Sequence, residues 1–360
     1  MTYRNGESLL ASVRGKGASG FIQTSWEKKD IYLYHSLPIF VYNGLLASGM
    51  APETATRTMM QKVFGTEDPL LTQGVTLALT LGGGRHFQRF SRTRLMTRDF
   101  RGLPLKLWEG YEAASLLLRE RQGEVTTGMG SLVLTDLLDT LEEERLAARL
   151  AKEIHHAVDG HPLDQAGYQE ALDGLRALLD RRCARWQTWR PGVEGEEALR
   201  KQCRKVLEEV AAIPAELASG HMVRLRICAP DGYTVENLAV SLQYEKEGPW
   251  HTLFRGGVKP EDLNHALAEF FLPYRPPCQG KPRAVKVEAT GMGGEGICHV
   301  QVDGRAPVAI LGVQGWVQNP EHLLVDNVNF AWMGSQSTQE AYFHAPLAEM
   351  VNAVTLLLEE

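Results

Sequence analysis

Through the middle of the chain apolar residues recur at helical spacing. Leu134, Leu137 and Leu141 lead into Leu146, Leu150, Ile154 and Val158, and Gly160 stops the pattern. A second run from about Asp164 turns Tyr168, Leu172, Leu175, Leu179, Cys183 and Trp186 inward. Pro191 and Gly192 separate it from a third, residues 196–210, which ends near Pro214. Short connections of this kind predict antiparallel helices. One competing reading makes residues 131–134 a strand.

Either side of this region the pattern changes. Residues 8–14, 21–26 and 31–42 are rich in β-branched and aromatic positions and predict strands. Pro52 opens a helix with Glu53 in its first turn and Gly65 just past its end. Residues 75–81 read as a buried strand or a helix end, and residues 105–121 as a helix. Beyond 220, strands are predicted at 222–228, 238–244, 250–254, 284–290, 296–302, 308–317 and 323–330. Pro260 starts a short helix, 261–271. Ser337 and Glu340 fit a capping box, and residues 347–358 read as a separate helix after Pro346. The fold class is therefore α+β, with β-rich N- and C-terminal parts around a central antiparallel helical region. The expected parts are residues 1–125, mixed α/β; 126–219, helical; and 220–360, with mainly antiparallel strands.

Composition is that of an ordinary globular protein, 44% hydrophobic and 23% charged. The most apolar run, residues 31–50, carries His35, Pro38 and Asn43, and so predicts no membrane span. The N-terminus lacks a basic-then-apolar leader pattern. Five widely spaced cysteines without a CxxC predict reduced thiols, no zinc site and a cytoplasmic protein.

Charge alters this picture. The net charge of the whole chain is -6, yet residues 1–125 are basic by formal count and the remaining two parts are acidic. The basic character concentrates in residues 80–101. Gly82, Gly83 and Gly84 open that stretch, Arg85, Arg89, Arg92, Arg94, Arg98 and Arg101 follow, and Phe87, Phe90 and Phe100 lie between them. Asp99 is its only acid, and no other carboxylate occurs back to Asp68. Guanidinium groups match phosphate oxygens, phenylalanine faces stack on bases, and consecutive glycines form an anion nest. The candidate nucleic-acid-binding residues are thus Arg85, Arg89, Arg92, Arg94, Arg98, Phe87 and Phe90, with Gly82, Gly83 and Gly84 as the nest. The plainer alternative is a basic segment whose phenylalanines are core and whose arginines pair with acids elsewhere.

Other motifs fail on inspection. Gly291, Gly293 and Gly296 satisfy GxGxxG, but a strand pattern follows where a pyrophosphate site needs a helix; the glycines predict a hairpin instead. Glu153 and His156 form one E-x-x-H pair near His155, Asp159 and His161, and a di-metal bundle needs two. His299 near Cys298, and His344 after Glu340, offer acid–base chemistry without a partner motif. No cofactor or catalytic residue is predicted.

The combination of β-rich ends, a helical insertion and an Arg/Phe stretch resembles, at the level of fold pattern and without a shared motif, the RNA-coating backbone subunits of multi-protein complexes. The expectation is a non-catalytic subunit binding RNA or single-stranded DNA, with protein partners or self-assembly. Two alternatives stand beside it. One is a protein-interaction module with an acidic surface; the other is an enzyme with a His/carboxylate site assembled from distant residues.

Overall fold

The structure, a computed structural model, describes residues 10–12, 15–16, 36–81, 92–99, 103–189, 196–229, 235–258, 266–289, 295–315, 317–325, 330–333 and 351–358. The chain divides into two compact units. The first takes Met1–Phe90, Leu103–Leu150 and Ala166–Leu207; the second takes Ser91–Gly102, Ala151–Gln165 and Glu208–Glu360. Helices and two antiparallel sheets make the protein α+β, as the pattern predicts.

The first unit is helical where described. Helices α1 (Leu37–Ala47), α2 (Pro52–Phe64) and α3 (Pro69–Leu81) precede a single turn α4 (Arg92–Leu95), which belongs to the second unit. Then come α5 (Leu103–Glu120), α6 (Gly128–Val158), α7 (Gln165–Trp189), α8 (Glu196–Ala211) and the short α9 (Ile213–Leu217), the last again in the second unit. Pro52 sits in the first turn of α2, and Gly65 closes the helix at φ 74°, a left-handed geometry that glycine adopts without strain. Asp68 caps α3 ahead of Pro69: its Oδ1 accepts the Leu71 N–H at 2.7 Å, and Arg121 clamps the same carboxylate. That clamp holds the Asp68 carboxyl down at about 2. Thr127 caps α6 in the same way, accepting the Gly130 N–H at 2.8 Å while its hydroxyl donates to Val63 O. The core of this unit gathers Tyr42, Met59, Phe64, Leu71, Leu79, Tyr111, Leu118 and Leu134.

Helices α6 and α7 meet over a charged ladder as well as an apolar one. Asp136, Asp139 and Glu143 recur at helical spacing on α6, and Arg182 and Arg185 of α7 reach them. Arg182 is 1% exposed and ion-pairs Glu143, with Asp139 at 3.7 Å.

The second unit is built from two sheets. Its strands are β1 (Thr97–Asp99), β2 (Met222–Ala229), β3 (Val235–Gln243), β4 (His251–Val258), β5 (Ala266–Pro273), β6 (Ala284–Ala289), β7 (Glu295–Val302), β8 (Pro307–Gln314), β9 (Val317–Gln318), β10 (Ala331–Met333) and β11 (Asn352–Leu358). One sheet has the order β1-β5-β2-β7-β10-β9, the other β4-β3-β6-β11-β8. Val223, Leu225 and Ile227 alternate inward on β2, and the ring of Phe254 on β4 meets that of Phe270 on β5 at 5.1 Å, joining the sheets. Asp303 and Gly304, both at positive φ, make the two-residue turn that carries the chain from β7 to β8.

Several expectations are corrected. The strand expected at 31–42 is helix α1 over its described part, and residues 10–12 are helical; among the described residues before 126 the only strand is β1. Apolar content without clear alternation misled there. Of the two readings of residues 75–81 the helix holds, and 131–134 lie inside α6, so the competing strand reading falls. The helix expected at 261–271 is strand β5 over its described part, and the one at 347–358 is β11 over its described part: both are strands buried on nearly every position whose burial is described, and their runs mimic a helix face. Residues 320–324, partly assigned to a strand, form a 3-10 turn. The glycine hairpin at 291–296 is also overturned. Strands β6 and β7, which flank it, lie in different sheets and do not pair as a hairpin; residues 291–294 lie outside the described residues. Residues 21–26 and the capping box at Ser337 lie outside the described residues, as does His344.

Candidate nucleic-acid interface

Of the basic stretch, Gly82, Gly83, Gly84, Arg85, Phe87, Arg89 and Phe90 lie outside the described residues. Its second half, Arg92 to Arg98, is placed in the second unit, as α4 followed by edge strand β1. Strand β1 pairs antiparallel with β5, which sets Arg98 opposite Glu269.

Strand register then builds a charged row across four strands. Arg98 on β1, Glu269 on β5, Arg226 on β2 and His299 on β7 stand opposite one another in turn. The next row is Phe271, Arg224 and Gln301. Paired residues of antiparallel strands project to one side, so this is one face of the sheet. The opposite face is the apolar one that meets the other sheet.

Arg98 joins three elements. Its Nη2 donates to Glu269 Oε2 at 2.8 Å and its Nη1 to Asp159 Oδ2 at 2.8 Å, just past the end of α6. Its guanidinium carbon also lies 5.0 Å from the Phe271 ring centre, and that of Arg224 lies 5.5 Å from it. Arg224 Nη2 donates to Val158 O at 3.0 Å, where the last carbonyls of α6 need donors. Arg92 ion-pairs Glu216 on α9. Arg92 and Arg98 therefore pair with acids of the protein itself, as the plainer sequence reading holds for such arginines.

His155 packs beside this face. Its Nε2 donates to Leu95 O at 3.2 Å, which fixes the tautomer, and its ring lies 5.8 Å from that of Phe271. Burial, with help from the neighbouring Arg98 charge, lowers the imidazole to about 4, so it is neutral at pH 7.

A His/carboxylate pair occurs elsewhere in the second unit. Asp303 accepts the Met222 N–H at 2.9 Å, the Tyr274 hydroxyl at 2.9 Å and His221 Nδ1 at 3.2 Å. Burial, then the bond to Asp303, pushes the Tyr274 phenol upward. The nearby Ser219 hydroxyl sits 2.6 Å from Glu216 O and 2.8 Å from Tyr274 O, so its proton is committed to the backbone and Ser219 is not a nucleophile activated by His221. Asp303 is thus a clasp between its own turn and the start of β2.

Among the remaining candidates, Glu153 accepts the Asp164 N–H, and His156 meets His161 edge-on. No group of three or more metal-ligating side chains occurs among the described residues. His299 is buried in the charged row. All five cysteines are reduced thiols, and burial pushes Cys203 up to about 12. Among the described residues, no helix is long and apolar enough to cross a membrane.

Sequence reasoning missed Arg224, Arg226, Glu269 and Asp303. The signal for the first two was present: they alternate with Val223, Leu225 and Ile227 at period two, the mark of a strand with one polar face. Asp303-Gly304 between two strand patterns marks a tight turn. Glu269 carried no such signal.

Comparison of the chain with protein-family models, curated proteins and solved structures finds no match to any of the three.

Proposed function

We propose that the protein is a non-catalytic subunit that binds the backbone of RNA or single-stranded DNA within a multi-protein complex in the cytoplasm. The observation that carries this reading is the placing of Arg98 and Arg224 over Phe271, with Arg226 in the neighbouring row of the same sheet face, beside β1, the end of the basic stretch. Within the second unit Arg98 is held there by Glu269 and Asp159. The reading divides the labour among the arginines. Arg92 and Arg98, held by Glu216, Glu269 and Asp159, fasten the stretch to the sheet. Arg85, Arg89 and Arg94 meet phosphates along the stretch, and Arg224 and Arg226 do so within the second unit. Phe87 and Phe90 stack on bases, and Gly82, Gly83 and Gly84 receive an anion.

The test is binding of a labelled single strand at low salt to wild type and to the Arg224→Gln/Arg226→Gln variant. The expected result is weaker binding, with a log–log salt slope reduced by about 0.7 for each phosphate that is no longer neutralised. Unchanged affinity and slope in a folded variant would remove this sheet face from the interface.

A further inference from the structure

Among the described residues strand β8 is the edge of its sheet, bonded to β11 and to no other strand. Its sequence, PVAILGVQ, is almost wholly apolar, yet Val308, Leu311 and Val313 are 52%, 46% and 47% exposed. Register shifts against β11 fall at Leu311 and at Val308, and such bulges turn a side chain away from its expected direction. The 3-10 turn Pro320–Leu324 packs beside β8 and ends at Val325, which is 54% exposed. Four of the seven large hydrophobic residues exposed among the described residues thus fall on this one edge and the turn beside it. Residues scattered singly need no explanation, whereas a grouped set on a strand edge marks an interaction surface.

Charge decides what fits there. Residues 307–320 contain no Asp, Glu, Lys, Arg or His, in a chain of which 23% is charged. A charged partner strand would find nothing to pair with and would lose its hydration. The complement of this edge is another uncharged apolar strand, and β8 itself is one. An antiparallel pair of β8 strands about a twofold axis near Leu311 sets apolar residues against apolar ones. It brings no like charges together. We propose that β8 is a self-association edge, through which two copies of the chain pair strand to strand. Each copy carries a formal charge of -6, so the two bodies repel while the edges attract. Dimerisation therefore strengthens with salt, opposite to the behaviour of phosphate binding.

The experiment is sedimentation equilibrium of the full chain from about 1 to about 100 µM, at about 50 and about 500 mM salt. Wild type is expected to dimerise over this range, with a tighter dissociation constant at the higher salt. Leu311→Lys/Val313→Lys, which places cations on both sides of the seam, is expected to be monomeric at every concentration, with unchanged thermal unfolding. Should the lysine variant fail to fold, Leu311→Asn/Val313→Thr keeps the edge uncharged and is expected to weaken the dimer at least tenfold. A wild type that stays monomeric at the highest concentration overturns the proposal. So does a dimer that persists unchanged in whichever folded variant is measured, because its seam then lies on another surface.

Discussion

At Arg98 a single guanidinium ties β1 to Glu269 on β5 and to Asp159 beyond α6. The Glu269 side chain is 4% exposed, so removing Arg98 takes from a buried carboxylate the guanidinium hydrogen-bonded to it. Arg98→Ala is expected to destabilise the second unit by about 3 kcal/mol in urea titration, and Arg98→Ala/Glu269→Gln by clearly less. A cost for the single variant no larger than for the double would deny the pair this role. His155 gives a pH dependence of definite sign. Its folded value, about 4, lies below the ordinary 6.5, so the folded state disfavours the proton. The stability this contributes is full above about pH 6.5 and declines as pH falls toward 4, a loss of about 3 kcal/mol by linkage. Urea titrations of wild type and His155→Gln between those limits isolate this effect, since the carboxylates titrate in both proteins. Parallel pH profiles would show that His155 is not the group responsible.

At the scale of elements, the helices of the middle region were legible because their apolar residues keep a 3.6 period over many turns and end at Gly160, Pro191 and Pro214. Strands β2, β3, β6 and β7 were legible from β-branched runs. Strands β5 and β11 were not, because both are buried on almost every residue and lack alternation. The first helix, α1, was misread for a related reason: its sequence is apolar on all sides, and a fully apolar run carries no period. The candidate site was half legible. The basic stretch announces itself by composition, but the carboxylates that hold Arg92 and Arg98 come from residues more than sixty positions away. Strand register brings Glu269 to Arg98, and the ends of helices bring Asp159 and Glu216.

Two predictions belong to elements. Arg182→Met leaves Glu143 buried without its cation between α6 and α7, and is expected to cost about 3–5 kcal/mol. Arg182→Met/Glu143→Leu should recover much of that in the same denaturation assay, and failure to recover would mean that shape outweighs charge at the seam. Gly130 lies where α6 starts against the end of α2: an added Cβ would come 2.8 Å from both Phe64 Cα and Val63 O. Gly130→Ala is therefore expected to lose about 1–3 kcal/mol by crowding. A melting temperature equal to wild type would show that the two helices separate freely.

At the scale of the whole molecule the account is one of charge segregation. A chain of net charge -6 keeps residues 69–98 free of carboxylates and fastens the end of that stretch to a sheet bearing further arginines. Phosphate binding follows if the arginines not used as fasteners still present their charge. The most direct measurement is the affinity of the full chain for a labelled single strand across a salt series, beside the Arg85→Ala/Arg89→Ala variant. The account predicts binding that weakens steadily with salt, and a log–log slope about 1.4 smaller in the variant, about 0.7 for each phosphate that has no arginine against it. No binding by the wild type at low salt, or an identical slope in the folded variant, would contradict it.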